Sequence, residues 1–146
     1  MQTIINEASL RFPSLSANES FVRATAACFA AQLDPTLDEL GDIKTAVSEA
    51  VTNAIVHAYP DAIGMITLRL RIYEDQSLEI YVKDKGVGIP DVGQARQPLF
   101  TTGNEERSGM GFTIMESFMD TLRVRSQVGT GTTVTMRRRM RRRAVR

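Results

Sequence analysis

With 146 residues, 42% of them apolar, the chain has the size and hydrophobic content of one ordinary globular domain, and it contains no apolar run long enough to span a bilayer. A lone cysteine, Cys28, excludes an internal disulfide framework, and one cysteine with one histidine, His57, argues against a zinc site built from the chain alone. The net charge of +1 conceals an uneven distribution. Arg137, Arg138, Arg139, Arg141, Arg142, Arg143 and Arg146 supply seven of the 18 basic residues, and setting them aside leaves 11 basic against 17 acidic residues, about −6. No signal-peptide pattern opens the sequence, so a reducing, cytoplasmic setting is expected. The domain body is expected over 1–136. The arginine-rich 137–146 is expected to be a solvated, frayed end, with neither nucleic acid nor membrane as a direct partner.

Taken in order, Thr3 to Phe12 reads as an extended edge strand. Ser16-Ala17-Asn18-Glu19 matches a capping box with Ser16 as N-cap and opens a helix to about Leu33, ended by Asp34-Pro35. A second box, Thr36-Leu37-Asp38-Glu39, starts a longer helix to about Ala58, broken at Tyr59-Pro60-Asp61. Along it Leu40, Ile43, Val47, Ala50, Val51, Ala54 and Ala58 recur at spacings that define a face buried on a sheet. Glu49, Asn53 and His57 stack on successive turns of another side, pointing a carboxylate, an amide and an imidazole into one region.

Met65 to Tyr73 alternates Ile66, Leu68, Leu70 and Ile72 with Thr67, Arg69 and Arg71, and Leu78 to Val82 repeats the alternation after Glu74-Asp75-Gln76, giving a hairpin with one oily face. Phe112, Ile114, Met115, Phe118 and Met119 carry helical periodicity, and Thr121 to Ser126 with Thr132 to Met136 form a second hairpin. Helices before the sheet and hairpins within it predict an α+β fold, a two-layer sandwich with helices on one face.

The chemistry concentrates between Asp84 and Gly111. Asp84-x-Gly86-x-Gly88 follows a strand and sets an acceptor-only carboxylate at the floor of a pocket, beside glycines that let the backbone approach a flat ring. An ionised carboxylate there accepts from the exocyclic amine of adenine and repels the carbonyl that guanine carries in its place. Ser108-Gly109-Met110-Gly111 enters a helix whose free N–H groups suit phosphates, and Met110 is placed to touch the nucleotide. The connector between the two glycine turns is too long for an ordinary loop and reads as an ATP lid. The Asn53 side-chain oxygen suits a hydrated magnesium ion on the phosphates, Glu49 is one turn away to take a proton from an attacking hydroxyl, and Arg107 would balance charge on the transferred group. Taken singly, each of these is ordinary: a solvated helix face, a turn, a flexible loop. Their joint order and spacing carry the signal.

Glu49-Ala50-Val51-Thr52-Asn53, Asp84-Lys85-Gly86-Val87-Gly88 and Ser108-Gly109-Met110-Gly111 resemble the N box and the two glycine boxes of the GHKL ATPase superfamily. Within it, Asn18 to Arg23, Val47 to Ile55, Ala95 to Thr102 and Arg107 to Asp120 are similar to the anti-sigma-F kinases of endospore-forming bacteria, over nearly the whole chain to about Met136. The resemblance implies a Bergerat-type fold with a mixed, mostly antiparallel sheet. It implies a homodimeric serine kinase that uses ATP with magnesium and returns ADP, holds a sporulation sigma factor, and phosphorylates its anti-anti-sigma antagonist. By position it makes Glu49 the general base, Asn53 the magnesium ligand and Asp84 the adenine-binding carboxylate with Gly86 and Gly88 beside it. It gives Thr132 the support of that carboxylate and of adenine. Thr101, Thr102, Arg107, Ser108, Gly109 and Gly111 fall on lid and phosphate positions, and Arg23 on a partner-docking position. The segment Thr102-Gly103-Asn104-Glu105-Glu106 departs from the family pattern in lacking a lysine-proline pair and one residue.

Two further functions stay open. One is an ATP-gated sigma-binding switch without significant chemistry. The other is the sibling anti-sigma kinase of the general stress response. A histidine-kinase catalytic domain ranks below both, because the one histidine, His57, shares a helix with the proposed base.

Overall fold

The computed structural model describes residues 2–97 and 110–141. Five strands, β1 (Ile4–Pro13), β2 (Met65–Tyr73), β3 (Ser77–Asp84), β4 (Thr121–Gln127) and β5 (Gly131–Arg139), form one sheet in the order β1-β2-β3-β5-β4. Every pairing among the described residues is antiparallel, within the mostly antiparallel sheet that was expected. The alternation in β2 and β3 fixes the register: Leu68 lies opposite Val82 and Leu70 opposite Ile80, so both strands turn their branched side chains to the same face. That face is dry. Ile66, Leu68, Leu70, Ile72, Leu78, Ile80 and Met136 are each at most 2% exposed, and burying one such side chain is worth about 1.5–3 kcal/mol. The opposite face is polar, with the Arg69 guanidinium 4.0 Å over the Tyr81 ring and Arg71 paired to Glu7 at 2.8 Å.

The helices α1 (Asn18–Ala30), α2 (Leu37–Asn53) and α4 (Gly111–Phe118) supply the second layer, while the four-residue α3 (Val92–Ala95) lies beside β4. Val22 and Ala26 of α1, Ile43, Val47 and Val51 of α2, and Phe112 and Met115 of α4 close the core over the sheet. The box at the start of α2 is present in full: Glu39 N–H donates to Thr36 Oγ1 at 3.0 Å, and Thr36 N–H donates to Glu39 Oε1 at 2.9 Å. The one expected at Ser16 is not. Ala17 is the N-cap, and its backbone is already helical (φ −61°, ψ −22°), so no extended residue stands where an accepting side chain would be. The Glu19 carboxylate instead takes the Ser48 hydroxyl at 2.7 Å and the Arg23 guanidinium at 3.4 Å, tying α1 to α2.

The C-terminal arginines are also placed otherwise than expected. β5 runs on through Arg139, and Met140 is 3% exposed. Arg138 falls in register with Leu78 on the inner face, where it pairs with Asp42 and donates to the Phe118 carbonyl at 2.9 Å. Arg137 lies over the Tyr73 ring at 4.0 Å, and the Arg141 N–H donates to Glu39 Oε2 at 2.8 Å. Basic side chains that look solvated in sequence are here matched to carboxylates and a ring, so 137–141 belongs to the folded body. Residues 142–146 lie outside the described residues.

Candidate functional site

The inward register of β3 carries Leu78, Ile80 and Val82 and ends on Asp84, so the period that builds the core also buries a carboxylate, 6% exposed. A carboxylate in that position requires donors. Asp84 Oδ1 accepts from the Gly86 N–H at 2.9 Å and the Thr132 N–H at 3.2 Å, the second contributed by β5. Burial pushes the Asp84 carboxyl above the usual aspartate range, and the two N–H groups draw it only part of the way back. Thr132 also shares a 2.7 Å hydroxyl contact with Ser126 on β4, and the Ser126 Oγ accepts from the Ile89 N–H at 2.7 Å.

Asn53 closes α2, and beyond it Ala54–Ala58 widens into a π-helical turn. Gly111, the first residue of α4, packs directly on the Asn53 amide; a Cβ there would lie 2.8 Å from Nδ2. The turn after Asp84 closes through Gly88 at φ +80°, a left-handed conformation, with the Gln127 carbonyl 2.4 Å from where a Cβ would sit.

These elements enclose one cavity. Asn53, Asp84, Gly88, Gly111 and Thr132 line it, and Val82, Ile89, Phe112 and Val134 give it apolar walls. A cavity with apolar walls and the buried Asp84 acceptor suits a purine bearing an exocyclic amine. Gly86 is not among the lining residues and packs on the Ala58 carbonyl. Met110 is the half-buried N-cap of α4, and Glu49 stands half-buried on α2 one turn before Asn53; neither is among the lining residues. Arg23 belongs to the α1–α2 contact with Glu19 and Ser48, apart from the cavity lining. Thr101, Thr102, Arg107, Ser108 and Gly109 lie outside the described residues, as does the connector from 98 onward.

Sequence reading missed Ser126, which sits across the hairpin from Thr132; the register of β4 and β5 would have found it. It also missed α3, whose Asp91 Oδ1 accepts from the Gln94 N–H at 3.0 Å and whose Asp91, Gln94 and Ala95 line the cavity. The Asp91-x-x-Gln94 spacing was the available signal. His57 likewise lines the cavity.

Among the described residues no group of three or more His, Cys, Asp or Glu side chains could hold a cation, and no helix is long and apolar enough to cross a membrane. Residues 12–138 match the histidine kinase-like ATPase domain family. An anti-sigma F factor of Geobacillus kaustophilus is 58% identical over 135 residues, covering 91% of this chain and 92% of that protein. One from Caldanaerobacter subterraneus is 59% identical over 132 residues, covering 90% and 92%. Among solved structures, the RsbU and RsbW domains of a Mycobacterium tuberculosis protein superpose with a TM-score of 0.68 at 21% identity, over 92% of this chain and 32% of that one. A blue-light activated histidine kinase of Erythrobacter litoralis superposes with a TM-score of 0.60 at 25% identity, over 80% of this chain and 40% of that one. With a family match over most of its length and relatives this similar from end to end, the chain belongs to the histidine kinase-like ATPase domain family, in the branch of the anti-sigma F factors.

Proposed function

We infer that the chain is an ATP-dependent protein-serine kinase that doubles as an anti-sigma factor. It holds a sigma factor of the sigma-F type and phosphorylates a serine on that factor's anti-anti-sigma antagonist. The observation that carries this is the convergence of Asn53, Asp84, Gly88, Gly111 and Thr132 on one cavity, in a chain matched over 91% of its length by a protein named anti-sigma F factor. Asp84 accepts from the adenine amine, with Gly86 and Thr132 holding the carboxylate. A magnesium ion, when bound, would supply positive charge against the phosphates. The Asn53 oxygen is the protein ligand offered to it, and the contact with Gly111 holds that amide at the start of α4. Glu49 takes the proton of the attacking serine as its oxygen bonds to the γ-phosphorus and the bond to the β-phosphate oxygen breaks, releasing ADP. Thr101, Thr102, Arg107, Ser108, Gly109 and Met110 are assigned to the phosphates, and Arg23 to partner docking. The working form is a cytoplasmic homodimer.

The ATP-gated switch has one observation on its side, since Glu49 is not among the residues lining the cavity. Incubation with γ-labelled ATP, magnesium and purified anti-anti-sigma protein separates the two. Wild-type chain is expected to label the partner, and Glu49→Gln to lower the rate by at least about 100-fold while ATP binding is retained. Unlabelled partner with wild-type chain that binds ATP would leave only the switch.

A further inference from the structure

We propose that Tyr59 is a positioning residue for base recognition: its hydroxyl sets the turn that carries Asp84, and so contributes to the choice of adenine over guanine. This rests on the assignment of the cavity as a nucleotide site.

The β2–β3 ladder ends at the pair Ile66 and Asp84, so Met65 and Lys85 are the next residues in register. The Tyr59 hydroxyl stands between their polar groups. It donates to the Met65 carbonyl at 2.7 Å and accepts from the Lys85 N–H at 2.8 Å. A side-chain oxygen thus takes the place of a backbone rung and holds the two strands apart immediately beyond the buried carboxylate.

The neighbouring residue completes the hold. The Ala58 carbonyl accepts from the Val87 N–H at 2.9 Å, and a Cβ on Gly86 would lie 2.1 Å from the same oxygen. Three successive N–H groups after Asp84 are therefore assigned: Lys85 to Tyr59, Gly86 to Asp84 itself, and Val87 to Ala58. Two of the three are fixed by the two residues at the end of the π-helical turn. The ring has its own seat, because a Cβ on Gly64 would lie 2.3 Å from it.

The carboxylate is consequently aimed by two supports from distant parts of the chain. One is the Thr132 N–H from β5, and the other is the end of the helix that carries Asn53. Discrimination by a single acceptor depends on where that acceptor points. Loosening the turn at Lys85 should weaken the adenine contact while leaving contacts to phosphate unchanged.

Tyr59→Phe keeps the ring and removes only the hydroxyl. Calorimetric titration with ATP and with GTP is expected to show ATP affinity lowered by about 3–10-fold and GTP affinity unchanged, so the ratio between them shrinks. In an Asp84→Asn background the same substitution should have no further effect, because the group it aims is gone. The maximal rate of phosphate transfer at saturating ATP should be unchanged, and amide exchange should quicken at Lys85 more than at Val87. A merely structural role would lower thermal stability and leave the ATP-to-GTP ratio alone. ATP affinity within about twofold of wild type, or an equal loss for GTP or in the Asp84→Asn background, would overturn the proposal. Wild-type chain that bound no ATP would overturn the nucleotide assignment together with it.

Discussion

The two ends of this sheet each bury a carboxylate that accepts a backbone N–H from β5 or from just beyond it, and they treat it in opposite ways. At the start of α2, Glu39 is 7% exposed and receives N–H groups from Thr36 and Arg141, with the Arg138 guanidinium nearby. Burial alone would raise its carboxyl, but these donors outweigh burial and hold it below the usual glutamate range. At the other end Asp84, 6% exposed, receives two N–H groups on one oxygen, and burial prevails. Glu39 is satisfied from within the chain and acts as a structural joint. Asp84 is left partly unsatisfied, facing a cavity, which is the condition of a group awaiting a partner.

The largest effect expected from breaking this contrast is at Asp84. Asp84→Asn replaces an acceptor with an amide that offers a donor to the adenine amine, and ATP affinity should fall about 100-fold by titration. The same change should raise the thermal midpoint of the free protein, because it removes a charge whose burial is not fully compensated. A lower midpoint with unchanged binding would reverse the roles assigned to the two carboxylates.

Glu39→Gln comes next. It should cost about 2 kcal/mol in urea unfolding, since hydrogen bonds to a charged group are lost at the joint between α2 and β5, while the folded protein keeps its ATP affinity. Acidification sharpens the contrast further, and the signs are opposite. The lowered pKa of Glu39 gives stability that is present above its unfolded value of 4.5 and lost as pH falls through the folded value below it. The raised pKa of Asp84 favours the folded state at low pH, and that contribution is lost as pH rises from the unfolded value of 3.8 through the folded value above it. ATP binding needs the ionised form, so affinity should decline on acidification beginning above pH 3.8. Unfolding and binding curves measured across the acid range would check both directions.

The smallest effect concerns the two helix starts. Thr36→Ala should cost about 1 kcal/mol, as for an N-cap whose side chain is used. Ser16→Ala should change stability by less than about 0.5 kcal/mol, because Ser16 engages the helix only through its carbonyl.

Those two starts also show what could be read from the chain in advance. Both carry the same four-residue pattern, but a turn at Leu15 to Asn18 brings the first helix in through helical backbone, and nothing in the local sequence distinguishes that entry from an extended one. The alternation of β2 and β3 was legible because a period of two has a single dry solution. Asn53 and Asp84, which line one cavity, carried a local signal, the first in its four-residue spacing from Glu49 on a helix and the second in the glycines that follow it, whereas Thr132 was reached only through the family resemblance. Tyr59, Ala58 and Ser126 were not, since each acts on backbone distant in sequence, and contacts of that kind leave no local pattern. The arginines of β5 misled for a related reason: a run of like charges looks solvated until its partners Asp42 and Tyr73, both far away in sequence, are folded against it.

The strand order has a consequence for how the molecule is made. Among the described strands β5 is the last to be synthesised, yet it lies inside the sheet between β3 and β4 and contributes the Thr132 N–H under Asp84. During synthesis the β1-β2-β3 half can pair early, but its inner edge stays bare and its carboxylate has only the Gly86 N–H until β5 inserts. A nascent chain stalled before Gly131 should therefore be unable to retain nucleotide, and competence should come all at once, when β5 inserts.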